Sequence, residues 1–200
     1  MNKVIMFVLP LILFSYGMTQ PTFSSTLSDY HHAKQSIIDA PQHLENYRQL
    51  KKAYLTLFPV AVPQFKHLFR KVKQTITKMD WHHCLHSSQA LLAHNYSHLG
   101  GHYAAMICHY ESHNKVKAQY HETLLNQWLS LIWTTGNGER EITAFHVSDI
   151  DERDTFIELH GLILASKPTL HKPNLIHALS LIDAQDNAIT WYFKLLQREH

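Results

Sequence analysis

The sequence predicts an α+β fold, with antiparallel helical hairpins to about residue 133 followed by a C-terminal antiparallel β-meander over about residues 140–197. Two periodicities carry this expectation. Between Ser28 and Trp133 apolar residues recur at three- and four-residue steps, the spacing of an amphipathic helix. Beyond Gly138 they alternate, the spacing of a strand with one buried face. Helices followed by strands joined through short turns define the α+β class.

The chain opens Met1-Asn2-Lys3, continues through the apolar stretch Val4–Phe14 and then turns small and polar at Ser15-Tyr16-Gly17 and Ser24-Ser25. A charged start, an apolar run and small residues are the order of a secretory leader, here read as Met1–Gln20. An eleven-residue run is short of the roughly 20 residues that a helix needs to cross a bilayer. Cleavage is expected after Gly17, with Ser24-Ser25 as a later alternative. The mature part, residues 21–200, is the size of one domain, periplasmic or secreted.

Leu44, Tyr47, Leu50, Tyr54 and Leu57 trace one helix, which Phe58-Pro59 and Pro63 end. Phe65, Leu68, Phe69, Val72 and Ile76 trace the next. A third carries Leu85, Leu91, Leu92 and Asn95 and is expected to stop before Gly100-Gly101, a fourth holds Tyr103, Met106, Ile107 and Tyr110, and Val116, Tyr120, Leu124, Trp128 and Leu131 mark a long last one. Successive hairpins of this kind are tetratricopeptide-like in arrangement, without a legible repeat signature. Strands are expected at Ile142–Ser148, Phe156–Ala165, Leu175–Ile182 and Ala188–Leu195, the last two joined by the turn Asp183–Asn187. The stripe through Tyr120, Leu124 and Trp128 is the expected cover for the sheet.

Formal net charge is only +2, which argues against a nucleic-acid binder. Its distribution is uneven: Asn46–Met79 holds eight Lys or Arg and no carboxylate, whereas Glu139–Glu158 holds seven Asp or Glu against two Arg. Both stretches read first as solvated faces and turns, and second as surfaces that steer a partner or touch anionic lipid. Two cysteines, Cys84 and Cys108, are a candidate disulfide in an oxidising compartment; two buried thiols are the other reading.

Histidine is the compositional extreme, 18 residues in 200, nine of them between His82 and His121. His82 and His86, His94 and His98, His98 and His102, and His109 and His113 stand four apart, a spacing that places two imidazoles on one helix face. Two ligands are too few for zinc, and H-E-x-x-H is absent. The expectation is that these rings point in several directions, with no metal and no cofactor bound. His83-Cys84 and Cys108-His109 are sequence neighbours, not a nucleophile–base pair. Ser87-Ser88 lacks the G-x-S-x-G elbow. Asp149, Asp151, Glu152 and Asp154 miss the calcium-loop pattern and read as a turn with solvated carboxylates. Asn95-Tyr96-Ser97 is a formal glycosylation sequon placed in a helix, and Trp128, Trp133, Trp191 and Tyr192 read as core. No catalytic residue is assigned.

Ala90-Leu91-Leu92, the His102–Tyr110 helix, Gly136-Asn137-Gly138, Thr143-Ala144-Phe145-His146-Val147, Glu158-Leu159-His160-Gly161-Leu162 and Trp191-Tyr192-Phe193 together resemble a family of exported bacterial domains, domain of unknown function 4919, over residues 89–193. The resemblance implies an exported α+β domain and transfers no catalytic residue. The function expected is therefore an envelope or secreted module that binds a protein or peptide partner without catalysis; the alternative is a histidine-based metal-binding protein or metalloenzyme.

Overall fold

Among the described residues, six helices precede residue 134: α1 (Phe23–Asp39), α2 (Leu44–Leu57), α3 (Pro63–Thr77), α4 (Trp81–His94), α5 (Leu99–Glu111) and α6 (Lys115–Trp133). The computed structural model describes residues 23–171 and 176–197, so the leader Met1–Gln20 and residue Leu175 of an expected strand lie outside the described residues.

Local chemistry sets the boundaries. Pro63, whose missing N–H costs nothing in a first turn, opens α3. Side chains at the caps of α4, α5 and α6 each accept an otherwise orphaned backbone N–H: Asp80 from His83, His98 from Gly101, and Asn114 from Lys117. α1 packs on α2, α3 on α4, α4 on α5 and α5 on α6, while α2 also meets α6 and α3 also meets α5. Cys84 of α4 and Cys108 of α5 form a disulfide, with Cα atoms 5.9 Å apart.

One expectation about this region is corrected, the helical placement of Asn95-Tyr96-Ser97. α4 ends at His94, ahead of Gly100-Gly101 as expected, and the two glycines lie inside the first turn of α5. A Cβ at Gly100 would come within 2.3 Å of the Phe69 ring and one at Gly101 within 2.8 Å of Leu92, so Gly100 allows α5 to approach α3 closely and Gly101 allows it to approach α4. Asn95-Tyr96-Ser97 is not helical. It forms the buried link between α4 and α5, where the Asn95 side-chain oxygen accepts from the Ser97 backbone N–H and hydroxyl at 3.0 and 2.6 Å.

The C-terminal third contains a short 3-10 turn at Glu141–Thr143, strand β1 (Phe145–Val147), helix α7 (Ile150–Leu159), and strands β2 (Ile163–Leu164), β3 (Thr169–His171), β4 (Ile176–Ile182) and β5 (Ala188–Leu195). β4 and β5 form the expected hairpin. Its turn is held by the Asp183 carboxylate, which accepts from the Gln185 and Asn187 N–H groups at 2.9 and 2.8 Å. The sheet order is β1-β5-β4-β2, with β3 also paired to β4. It is mixed rather than a pure antiparallel meander, because β1 runs parallel to β5 in the register His146↔Lys194. A parallel pair needs a crossover, and α7 with β2, β3 and β4 lies in the chain between the two strands.

The expected strand Phe156–Ala165 divides instead into the end of helix α7, through Leu159, and the short strand β2 at Ile163–Leu164. A short apolar run does not distinguish strand from buried helix, and the deciding feature is the start: Asp149 caps α7 by accepting the Glu152 N–H at 2.8 Å, with Asp151 and Glu152 in its first turn. The sheet's inner face, carrying Phe145, Val147, Leu179, Leu181 and Phe193, is fully buried. Its aromatic cover is Phe156 of α7 and Trp133 at the end of α6, whose ring centroids lie 5.1 and 4.9 Å from Phe145. Trp128 is buried elsewhere, edge-on to Tyr47 of α2 at 4.9 Å. The reason is helical phase: Trp128 shares the α6 face that meets α2, whereas Trp133 emerges beyond it.

Candidate functional site

Lys51 stands among Tyr47, Leu50 and Tyr54 on the buried face of α2. An ammonium taken from water needs a countercharge, and Glu152 of α7 supplies it, its two carboxylate oxygens accepting from Lys51 Nζ at 2.9 and 3.2 Å. The same carboxylate accepts the backbone N–H of Ser148. Both side chains are buried. This corrects the reading of the acidic cluster as solvated. Asp149 caps α7, Glu152 is interior, and Asp154 accepts from the buried Arg153 guanidinium at 2.7 and 2.8 Å.

On the outer side of this ion pair a groove of about 500 Å³ runs between α2, the end of α6 and β1. Leu55, Leu131 and Leu196 give it apolar surface, Arg48, Lys51 and Lys52 supply cations, and Thr134, Thr135 and His146 complete the wall. The edge of β1 facing the groove is already satisfied. His146 donates its N–H to Thr135 Oγ1 at 2.9 Å, and its carbonyl accepts from Lys51 Nζ at 3.4 Å. A guest strand therefore cannot pair with His146, and recognition falls to side chains. Burial, with Lys194 and Lys51 nearby, holds the His146 imidazole below its ordinary range.

A smaller cavity of about 200 Å³ has Tyr54, Phe65, Lys66, His98, Asp149 and Asp151 in its wall. His98 Nδ1 accepts the Gly101 N–H at 3.1 Å, which assigns the ring proton of the neutral imidazole to Nε2. Burial pushes its pKa down to about 4, against the opposing pull of Glu152.

The clustered histidines divide. His82, His83, His86, His94 and His113 are exposed. His94 ends α4 whereas His98 caps α5, so that pair never shares a helix face. Contrary to the expectation of full dispersal, His102, His109 and His121 gather between α5 and α6. His102 Nε2–H donates to the Tyr96 carbonyl at 2.8 Å, which leaves its Nδ1 to accept from His121 Nδ1–H at 3.1 Å. His109 stacks on His121 with ring centroids 5.6 Å apart and a buried Nδ1 that has no hydrogen-bond partner among the described residues. Burial lowers His102 to about 3 and His121 to about 4, helped by the neighbouring imidazoles; Lys117 adds to the lowering of His121 and, with burial, of His109. Facing nitrogens spent on each other leave no ready ligand set. Among the described residues no group of three or more His, Cys, Asp or Glu side chains is arranged to hold a metal ion.

The sequence contained a signal for the ion pair that its charge count concealed: Lys51 falls in phase with Tyr47, Leu50 and Tyr54 on the apolar stripe. In comparison with known proteins, no family model, no curated protein and no solved structure matches the chain.

Proposed function

We propose that the protein is an exported envelope or secreted module that binds a peptide segment of a partner protein, without catalysis, in the groove between α2, α6 and β1. The observation that carries this reading is the groove itself: apolar surface from three leucines beside a polar wall, large enough for several side chains. Its strand edge is closed to pairing, so it reads side chains. Export is supported by the leader-like order of Met1–Gln20 and by a disulfide of the kind that oxidising compartments preserve. Among the described residues no helix is long and apolar enough to cross a membrane.

Panning a random peptide-display library on the purified, disulfide-bonded protein tests the binding. Retained peptides should be lost on Leu196→Glu, which puts a charge at a rim residue that is 38% exposed and so spares the core. Failure to retain any peptide, or retention that Leu196→Glu leaves unchanged, rejects the groove as the site. Export is checked by intact mass of protein recovered from the envelope or medium. Cleavage after Gly17 leaves α1 whole, whereas cleavage at Ser25 removes its first residues.

A further inference from the structure

We infer that the groove is selective for acidic segments, in which aliphatic side chains settle on Leu55, Leu131 and Leu196 while Asp or Glu carboxylates meet the cations of α2. This rests on the peptide-binding reading above and adds the chemical class of the partner.

The argument is one of charge placement. Arg48, Lys51 and Lys52 all enter the groove from α2, and none of its described wall residues is a carboxylate. Their electrostatic states differ. Lys51 is neutralised from behind by Glu152, so it contributes a fixed dipole and holds the His146 carbonyl more than it offers free charge. Arg48 pairs with Glu45 one turn back, but both side chains are more than half exposed. Such a pair gains little in water, and an incoming carboxylate competes for the guanidinium at small cost. Lys52 is exposed on the same helix. Lys194 lies beside His146 on the paired strand and depresses its imidazole, so a second source of positive field reaches the groove from β5.

A guest that carries negative charge relieves this concentration of like charge, whereas a basic one aggravates it. The apolar floor supplies affinity common to all classes, and the cations supply the discrimination. A carboxylate that meets Arg48 also gains a planar, two-pronged donor.

The experiment uses peptides recovered from the library, resynthesised in three forms: as selected, with every Asp and Glu changed to Asn and Gln, and with every Asp and Glu changed to Lys. Binding to the full disulfide-bonded protein is followed by fluorescence anisotropy at low and high salt. Two carboxylates at partly exposed cations predict about a tenfold advantage of the acidic over the neutral form at low salt, narrowing as salt rises. The double variant Arg48→Gln, Lys52→Gln, both at exposed positions, should abolish the advantage, so that it binds the acidic and neutral forms alike. Its melting temperature reports that the fold is intact. Equal binding of acidic and neutral forms, or an advantage that survives the double variant, overturns the charge preference and leaves the peptide-binding reading standing. Absence of any groove-dependent peptide overturns both.

Discussion

Lys51 and Glu152 stand 101 positions apart in sequence and meet at 2.9 Å in the interior, where their contact ties the helical part of the chain to the start of α7. Lys51 is part of the groove wall, and Glu152 lines a small cleft together with His98. The stability contribution of this ion pair is not its main consequence, because desolvating two charges offsets most of their attraction. Breaking one side is different.

Lys51→Met strands a buried carboxylate, and Glu152→Gln strands a buried ammonium. Each single change should cost about 3–5 kcal/mol, and the double change should cost clearly less than the sum. Urea denaturation of the four proteins measures this. Additive single effects below about 1 kcal/mol would show that the two charges do not depend on each other.

The disulfide makes a separate contribution. Cys84 and Cys108 are 24 residues apart, and closing a loop of that size in the unfolded chain corresponds to about 3 kcal/mol. The variant Cys84→Ala, Cys108→Ala should fold and lose roughly that amount, because the α4–α5 contact is also made by packing. Insensitivity of the oxidised protein's urea midpoint to a reductant that demonstrably frees both thiols would contradict it.

Acid should weaken the fold through its buried imidazoles. His98, His102 and His121 titrate at about 4, 3 and 4 in the folded protein, against about 6.5 in an unfolded chain. A depressed histidine pKa means that the unfolded state binds more protons once the pH drops below about 6.5. The stability these groups contribute is therefore intact above about 6.5 and declines as the pH falls toward 4. Each group that takes up a proton on unfolding shifts the folding equilibrium about tenfold per pH unit. The His102–His121 contact adds a structural reason, since its N–H···N bond requires one unprotonated nitrogen. Denaturation midpoints measured between neutral and mildly acidic pH should fall steeply. A flat profile through that window would show that these rings gain protons in the fold without cost.

The sequence exposed what is periodic and hid what depends on distance. The stripe from Leu44 to Leu57 coincides with α2, and the alternation of Ile189, Trp191, Phe193 and Leu195 coincides with β5, because in both the buried face repeats at the element's own period. Phe156–Ala165 misled for the opposite reason. Its apolar residues join the buried Phe156 and Ile157 of α7 to the exposed Ile163 and Leu164 of β2, so no single period runs through the stretch. β2 and β3 are two and three residues long, too short to alternate visibly. In the candidate site, Arg48 and Lys52 were visible as part of a basic run, but the groove is made by Leu131, Thr135, His146 and Leu196 from other elements. Their convergence is a property of packing. The same holds for His102 and His121, which belong to different helices and do not have the four-residue spacing that drew notice to other pairs.

Trp128 offers the sharpest test of the core. Its side chain is 1% exposed, it meets Tyr47 edge-on, and its indole Nε1 is buried without a hydrogen-bond partner among the described residues. Two opposed effects follow. Removing the ring in Trp128→Ala opens a cavity between α2 and α6 and should cost about 3–5 kcal/mol. Trp128→Phe also removes volume, but it takes away the unpaired donor, whose burial carries a penalty of about 1–3 kcal/mol. The phenylalanine variant should therefore lie much closer to the wild type than its lost volume alone implies. Chemical denaturation of the three proteins decides the point: a Phe variant as unstable as the Ala variant would mean that the indole N–H is satisfied in solution, and that ring volume alone sets the stability of this contact.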